Sequence, residues 1–211
     1  MRMRKRKWVS SYLEQDNKYF LRDCAFTLKD SRELILEIGM GMGDFLSQSA
    51  LENPDKLFIG IEKDETCVAK ALKKSEEKNL DNLYIILGDA KNLNTYLPNN
   101  SVSKIYLQFN DPWPKKSHHK RRLSYKTYLD LYKEVLKKEG EIIFKTDNRP
   151  YFEDSLISFS QNGFIIEEIS LDRHSQENDD ITTEYEKKFM AASLPVYYVK
   201  LRQGEKDEES I

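Results

Sequence analysis

Short apolar runs recur along the chain at Glu33–Ile38, 57–61, Leu83–Leu87, 104–109 and 141–145, each bounded by Gly, Asp or Asn. Runs this short, rich in Ile and Leu and without strict alternation, fit strands buried on both faces of a parallel sheet. Between them the apolar positions take helical spacing over Asp44–Glu52, Glu65–Lys78, 125–138 and 151–160. Cys67, Ala71 and Leu72 share one face of the second, and Tyr128, Leu131, Tyr132 and Val135 one face of the third.

Strand and helix thus alternate, which predicts an α/β fold with right-handed crossovers and a sheet covered on both sides. After residue 163 the pattern changes to two longer strand candidates, 164–171 and 196–201. The polar segment joining them holds a short helix near 185–192, and this ending predicts an antiparallel addition to the sheet. Residues 1–32 carry no strong period and read as a basic N-terminal arm and lead-in, the basic N-terminus being an arm rather than part of the core. At 211 residues the chain fits a single domain, 1–211, closed by an acidic tail at 203–211.

With 39% hydrophobic and 33% charged residues, and only 8 Gly and 6 Pro, the composition is that of a folded, heavily charged protein. No apolar run is long enough to span a bilayer, and the basic start leads into polar sequence where a secretory signal needs an apolar stretch. Two widely spaced cysteines, Cys24 and Cys67, build neither a disulfide framework nor a zinc cluster. A cytoplasmic setting with no membrane partner and no metal is therefore expected. The net charge is only −2, but its distribution is uneven. Arg2, Arg4, Lys5, Arg6 and Lys7 form one acid-free basic run, and Lys115, Lys116, Lys120, Arg121, Arg122 and Lys126 form another. Two such clusters in a nearly neutral chain predict a local anion-binding face.

In an open α/β sheet, ligands bind at the carboxyl ends of the strands. Four successive strand ends here each deliver a carboxylate: Glu37 before Gly39-Met-Gly41-Met-Gly43, Glu62 after Gly60-Ile, Asp89 after Gly88, and Asp111 in Asn110-Asp-Pro-Trp-Pro114. Gly39, Gly41 and Gly43 permit a tight turn and close approach of backbone to a ligand, in a spacing that departs from the dinucleotide fingerprint. Glu37 would repel a pyrophosphate and attract the ammonium or sulfonium of S-adenosylmethionine. Glu62, about 20 residues beyond the loop, suits two ribose hydroxyls, and Asp89 suits an adenine amino group. The bland alternative for each acid is a cap on the helix that follows.

Asp111 is followed by Pro112, Trp113, Pro114 and a dense basic run, Lys115-Lys-Ser-His-His-Lys-Arg-Arg122. An acid and an indole near a methyl donor suit a nucleobase held by stacking and hydrogen bonds, with the cations on the surrounding phosphates. His118 and His119 read as phosphate or backbone contacts, since no third metal ligand lies nearby, and His174 has no assigned role.

The residues 37–43, Gly60-Ile-Glu62, Gly88-Asp89, Asp111-Pro-Trp-Pro-Lys115, His118-His-Lys-Arg-Arg-Leu123, Phe144-Lys-Thr-Asp-Asn148 and Thr183-Glu-Tyr-Glu186 together resemble the bacterial tRNA (guanine-N7)-methyltransferase family nearly end to end. That resemblance implies a Rossmann-like class I methyltransferase: a mostly parallel seven-stranded sheet, helices on both faces and an antiparallel C-terminal strand. It implies methyl transfer from S-adenosylmethionine, with S-adenosylhomocysteine as product, to guanine 46 in the variable loop of tRNA. It places Glu37, Gly39, Gly41, Gly43, Glu62, Asp89 and Asp111 at the cofactor, with Asp111 also the catalytic acid residue. Lys115, Asp147, Thr183, Glu184, Tyr185 and Glu186 fall at the substrate, and Ser117, His118, His119, Lys120, Arg121 and Arg122 at the RNA. Asn110 stands where many members have Pro or Ser. A monomer and a homodimer are both compatible with the sequence. Rival readings are an adenine-N6 methyltransferase, which Asp111 opposes, a nicotinamide-dependent oxidoreductase, which Glu37 opposes, and a non-catalytic RNA-binding protein, which leaves the four acids unexplained.

Overall fold

The structure is a computed structural model that describes residues 7–22, 30–175 and 181–204, the side chains of Lys7 and Glu184 excepted. The basic residues Arg2, Arg4, Lys5 and Arg6, Cys24, and residues 205–211 of the tail lie outside the described residues, as does the side chain of Lys7.

Eight strands form one sheet among the described residues: β1 (Phe20–Leu21), β2 (Glu33–Ile38), β3 (Lys56–Glu62), β4 (Leu83–Leu87), β5 (Val102–Gln108), β6 (Leu136–Thr146), β7 (Phe164–Ser170) and β8 (Tyr197–Gln203). Their order is β1-β4-β3-β2-β5-β6-β8-β7, parallel from β1 to β6, with β8 antiparallel to both β6 and β7. The chain runs outward from β2 in one direction through β3 and β4, then returns to β5 on the other side of β2. The sheet therefore reverses its winding between β2 and β5, the position at which open α/β sheets bind ligands.

The helices are α1 (Lys7–Leu13), α2 (Asp44–Glu52), α3 (Glu65–Lys78), the single turn α4 (Leu93–Tyr96), α5 (Lys126–Val135), α6 (Arg149–Gln161) and α7 (Glu184–Ala191). Alternate residues of β2 face opposite layers. Leu34, Leu36 and Ile38 pack with Leu129, Tyr132 and Phe152 of α5 and α6, while Ile35 packs with Leu46, Val68 and Leu72 of α2 and α3. Continuous burial along β2 and β3 accounts for their unbroken apolar runs.

The sheet has eight strands rather than the expected seven, the eighth coming from the lead-in: β1 pairs with β4, and Val9 and Leu13 of α1 and Tyr19 are buried against α3 and β4. A two-turn helix and a two-residue strand are too short to impose a period on the sequence, yet each adds apolar area to a surface that already exists. The helix expected over 125–138 stops at Val135, where β6 begins ahead of its apolar run. Among the described residues no helix is long and apolar enough to cross a membrane.

Candidate active site

The carboxyl ends of β2, β3, β4 and β5 converge on a cleft of about 230 Å³, whose walls include Gly39, Glu62, Asp89, Asn110, Asp111 and Trp113. One cleft thus brings together residues from all four strand ends.

The loop after β2 is built on backbone geometry. The amides of Gly39 and Met40 both donate to the carbonyl of Ile61, at 2.8 and 3.4 Å. Gly39 has φ +74°, and a Cβ there would stand 2.6 Å from Nδ2 of Asn110, which itself donates to the Ile38 carbonyl at 3.1 Å. Gly43, at φ +69°, leaves no room for a Cβ, which would lie 2.9 Å from that of Ala71 on α3. The glycines therefore answer to a turn and to close packing before any ligand is considered.

Glu62 accepts from the Gly41 amide at 3.1 Å with one oxygen and from the Lys63 and Asp64 amides at 2.7 and 2.9 Å with the other. Capping of α3 falls instead to Asp64, which accepts from Thr66 and Cys67. Glu62 is thus spared the helix and ties the glycine loop to the end of β3. Asp89 does cap, accepting from Lys91 at 3.0 Å at the start of the short 3₁₀ turn Ala90–Asn92, and it also borders the cleft.

Glu37 stands immediately before the loop, outside the cleft wall and only 4% exposed. Its Oε1 accepts a long bond from Gln108 Nε2 at 3.4 Å, and its Oε2 has no hydrogen-bond partner among the described residues. Burial pushes its carboxyl up to about 8, the charges of Asp44 and Glu62 adding to the effect against the Gln108 bond. An orphaned buried carboxylate oxygen beside a glycine loop fits a cationic ligand group and does not fit a pyrophosphate.

Across the cleft, the segment 109–114 is held in a conformation that L residues rarely adopt: Phe109 has φ 49° and Trp113 φ 42°. The Phe109 amide donates to the Lys145 carbonyl at 2.9 Å. Trp113 is flanked by two cations, the Arg121 guanidinium 4.9 Å and Lys63 Nζ 5.9 Å from its ring centre, with the His118 ring edge-on at 5.8 Å. Lys115, Ser117, Lys120 and Arg121 are exposed and His118 and His119 half-buried, the residues from 116 to 121 forming the 3₁₀ turn Lys116–Arg121.

Arg122, placed at the RNA by the resemblance, is turned inward. It is 7% exposed, donates through Nε to the Pro112 carbonyl and through Nη1 to Asp154 of α6, both at 2.7 Å, and lies over the Tyr151 ring. Two of its nitrogens thus tie the loop that carries Asp111 to α6.

Asp147 sits half-buried just beyond β6, close enough to Tyr185 that, after burial, its charge is what raises the Tyr185 phenol. Thr183 caps α7, accepting from Glu186 at 2.9 Å, while Glu186 Oε2 accepts from the Thr183 amide at 2.8 Å. Glu186 is fully buried and its Oε1 lies 3.1 Å from Lys145 Nζ, so it offers no free edge to a base. The side chain of Glu184 lies outside the described residues.

Comparison with known proteins agrees with this geometry. The profile of a family described as "Putative methyltransferase" matches residues 31–199. A "tRNA (guanine-N(7)-)-methyltransferase" of Staphylococcus epidermidis is 41% identical over 96% of this chain and 97% of its own length. One of the same name from Lactobacillus gasseri is 45% identical over 79% of each. This chain belongs to the tRNA (guanine-N7)-methyltransferase family. Among solved structures, the 16S rRNA methyltransferase KamB shares the fold, with a TM-score of 0.62 at 14% identity over 82% of this chain and 88% of that one.

Within a member of the tRNA (guanine-N7)-methyltransferase family, two residues gain a role that sequence reasoning did not assign. Gln108 is the partner of Glu37, and Lys145 that of Glu186. Each is a polar residue ending an otherwise apolar strand run, which signals a buried polar partner without saying which.

Proposed function

We propose that this protein transfers the methyl group of S-adenosylmethionine to N7 of guanine 46 in the variable loop of tRNA. The observation that carries the reading is the sharing of one cleft by the acids Glu62 and Asp89 on one side and the Asp111–Trp113 loop, flanked by Arg121 and Lys63, on the other. On this reading Glu62 takes the ribose hydroxyls, Asp89 the adenine amino group, and Glu37, through its unpartnered oxygen, the ammonium of the methionyl end. The glycine loop lets the backbone approach that end.

S-adenosylmethionine supplies an electrophilic methyl group on a sulfonium. Guanine N7 carries an in-plane lone pair and no proton, so the protein needs no base at the attacked atom. What it supplies is alignment, which in favourable intramolecular reactions is worth up to about 7–11 kcal/mol. Asp111 stands between cofactor and base, where a carboxylate stabilises the positive charge that passes to the imidazole ring of guanine. Asp147 and Lys115 grip the base and its backbone, Tyr185 stacks, and Ser117, His118, His119, Lys120 and Arg121 hold the phosphates. Arg122, Thr183 and Glu186 keep the loops in place.

The test is incubation of purified protein with labelled S-adenosylmethionine and unmodified tRNA transcripts, followed by mass spectrometry of the nucleosides. 7-Methylguanosine that disappears from a transcript lacking guanine 46 is the expected result. A different methylated nucleoside overturns the acceptor, and cofactor binding without methylation of any tRNA overturns the substrate class.

A further inference from the structure

Helix α7 has one buried side chain among the described residues, and it is a carboxylate: Glu186 is 0% exposed, while Tyr185, Lys187, Lys188, Met190 and Ala191 are exposed and Phe189 half-buried. A helix normally docks through an apolar stripe. This one sets the rings of Tyr185 and Phe189 against Phe109, at 4.9 and 6.3 Å, and adds the buried Glu186, whose Oε1 lies 3.1 Å from Lys145 Nζ, itself 2% exposed, and 3.6 Å from His174 Nε2. Lys145 also acts through its main chain, since its carbonyl receives the Phe109 amide at 2.9 Å. Phe109 opens the Asp111 loop, and its ring meets that of Tyr185 on α7 at 4.9 Å. A circuit closes from Lys145 to Glu186, along α7 to Tyr185, across to Phe109 and back to Lys145.

We infer that Lys145 is a positioning residue: its ammonium fixes Glu186 and thereby holds the first turn of α7 against the loop that presents Asp111 to the acceptor base. The inference rests on the methyl-transfer reading of the cleft and assigns Lys145 and Glu186 to the placement of α7, with no contact to the guanine. His174 lies beside the same carboxylate oxygen. A buried charge stripped of its partner is strongly unfavourable, whereas a neutral pair of similar shape is tolerated. In Lys145→Met, the buried Glu186 loses its ammonium partner and keeps the Thr183 amide and the neighbouring His174, so α7 lifts away. In the double variant Lys145→Met with Glu186→Gln, no charge is stranded, and the amide that replaces the carboxylate still accepts from the Thr183 amide, as a capping box allows.

Three proteins are compared by steady-state methylation of tRNA, S-adenosylmethionine binding and amide hydrogen exchange over residues 184–191. For Lys145→Met the expected result is a KM for tRNA raised about tenfold or more, a cofactor Kd within about twofold of wild type, and faster exchange confined to α7. The double variant is expected to recover KM to within about threefold and to restore slow exchange. Should Lys145→Met not fold, the double variant, which buries no unpaired charge, is compared with Glu186→Gln alone, and the single change is expected to be the worse of the two. A double variant as impaired as Lys145→Met, with exchange restored, would show that the Glu186 carboxylate contacts the base and overturns the inference. Unchanged KM and exchange in Lys145→Met overturn it too. Wild-type protein that makes no 7-methylguanosine in tRNA defeats the functional reading instead, and the exchange result still reports on the placement of α7.

Discussion

The guanidinium of Arg122 donates to the carbonyl of Pro112 at 2.7 Å while its other arm grips Asp154, so the rigid segment after Asp111 is bolted to α6. Its neighbour Arg121 points outward over Trp113. Two adjacent cations in one basic run thus serve opposite sides of the surface. Arg122→Met removes a charge-assisted bond to a half-buried carbonyl, worth about 1.5–3 kcal/mol, and a half-exposed ion pair worth less. A fall in melting temperature together with a fall in kcat is expected. Arg121→Ala is expected to keep the melting temperature and to flatten the salt dependence of tRNA binding by about 0.7–0.9 in log–log slope for each phosphate left without its cation. Filter binding across a salt series, with thermal melts alongside, checks both.

Glu37 makes stability and cofactor binding respond to pH in opposite directions. Its carboxyl is raised to about 8 in the fold, so the folded protein favours the protonated form. The unfolded chain ionises it near its ordinary value, so its contribution to stability is full below that value and is lost as pH rises towards 8. Glu37→Gln should therefore melt at a higher temperature than wild type at pH 8.5, with the gap closing towards pH 5. Affinity for S-adenosylmethionine in wild type should rise from pH 6 to 7.5 as Glu37 ionises, and the variant should lose that rise. Calorimetric titration at several pH values decides the point.

Gly39 carries two separate demands, a left-handed backbone and the proximity of Asn110. Gly39→Ala costs about 1–2 kcal/mol for the conformation and displaces an amide bond worth about 1 kcal/mol. At about 2–4 °C per kcal/mol for a chain of this size, a drop of several degrees in melting temperature is expected, with weaker cofactor binding. Asn110→Ser, which shortens the intruding side chain, should relieve part of the loss when combined with Gly39→Ala.

Asp111 is exposed, on a loop whose shape is fixed by its neighbours. Asp111→Asn keeps the size of the side chain and removes its charge, so the melting temperature should not move. If the carboxylate stabilises charge on the base, kcat falls by about 10²-fold or more, while the KM for S-adenosylmethionine changes little. Full kcat in this variant would remove Asp111 from the chemistry.

The parallel core of the sheet was legible because each central strand is buried on both faces and so announces itself as an unbroken apolar run. That Glu62, Asp89 and Asp111 border one cleft was legible for a related reason, since a carboxylate at or just beyond the carboxyl end of such a strand lies at the sheet's edge; Glu37, inside β2, stands outside that wall. Direction of individual side chains was not legible. Nothing in Lys120-Arg-Arg122 says which cation turns inward, because the choice depends on Asp154, 32 positions away, and on a proline carbonyl. Glu186 posed the same difficulty: its partner lies 41 positions earlier, on β6. The eighth strand was not legible because α1 and β1 owe their order to surfaces made by α3 and β4 rather than to any pattern of their own.

Those two residues of β1 also do something for the molecule as a whole. Phe20 and Leu21 pair with Ile85 and Ile86, and the Tyr19 carbonyl takes the Ile85 amide, along what would otherwise be the bare rim of β4. An uncovered parallel strand of apolar residues is a template for another chain. Cutting away the residues up to Arg22 would leave the cleft's acids and glycines untouched and yet yield a sticky protein, one whose defect shows in the centrifuge before it shows in the assay.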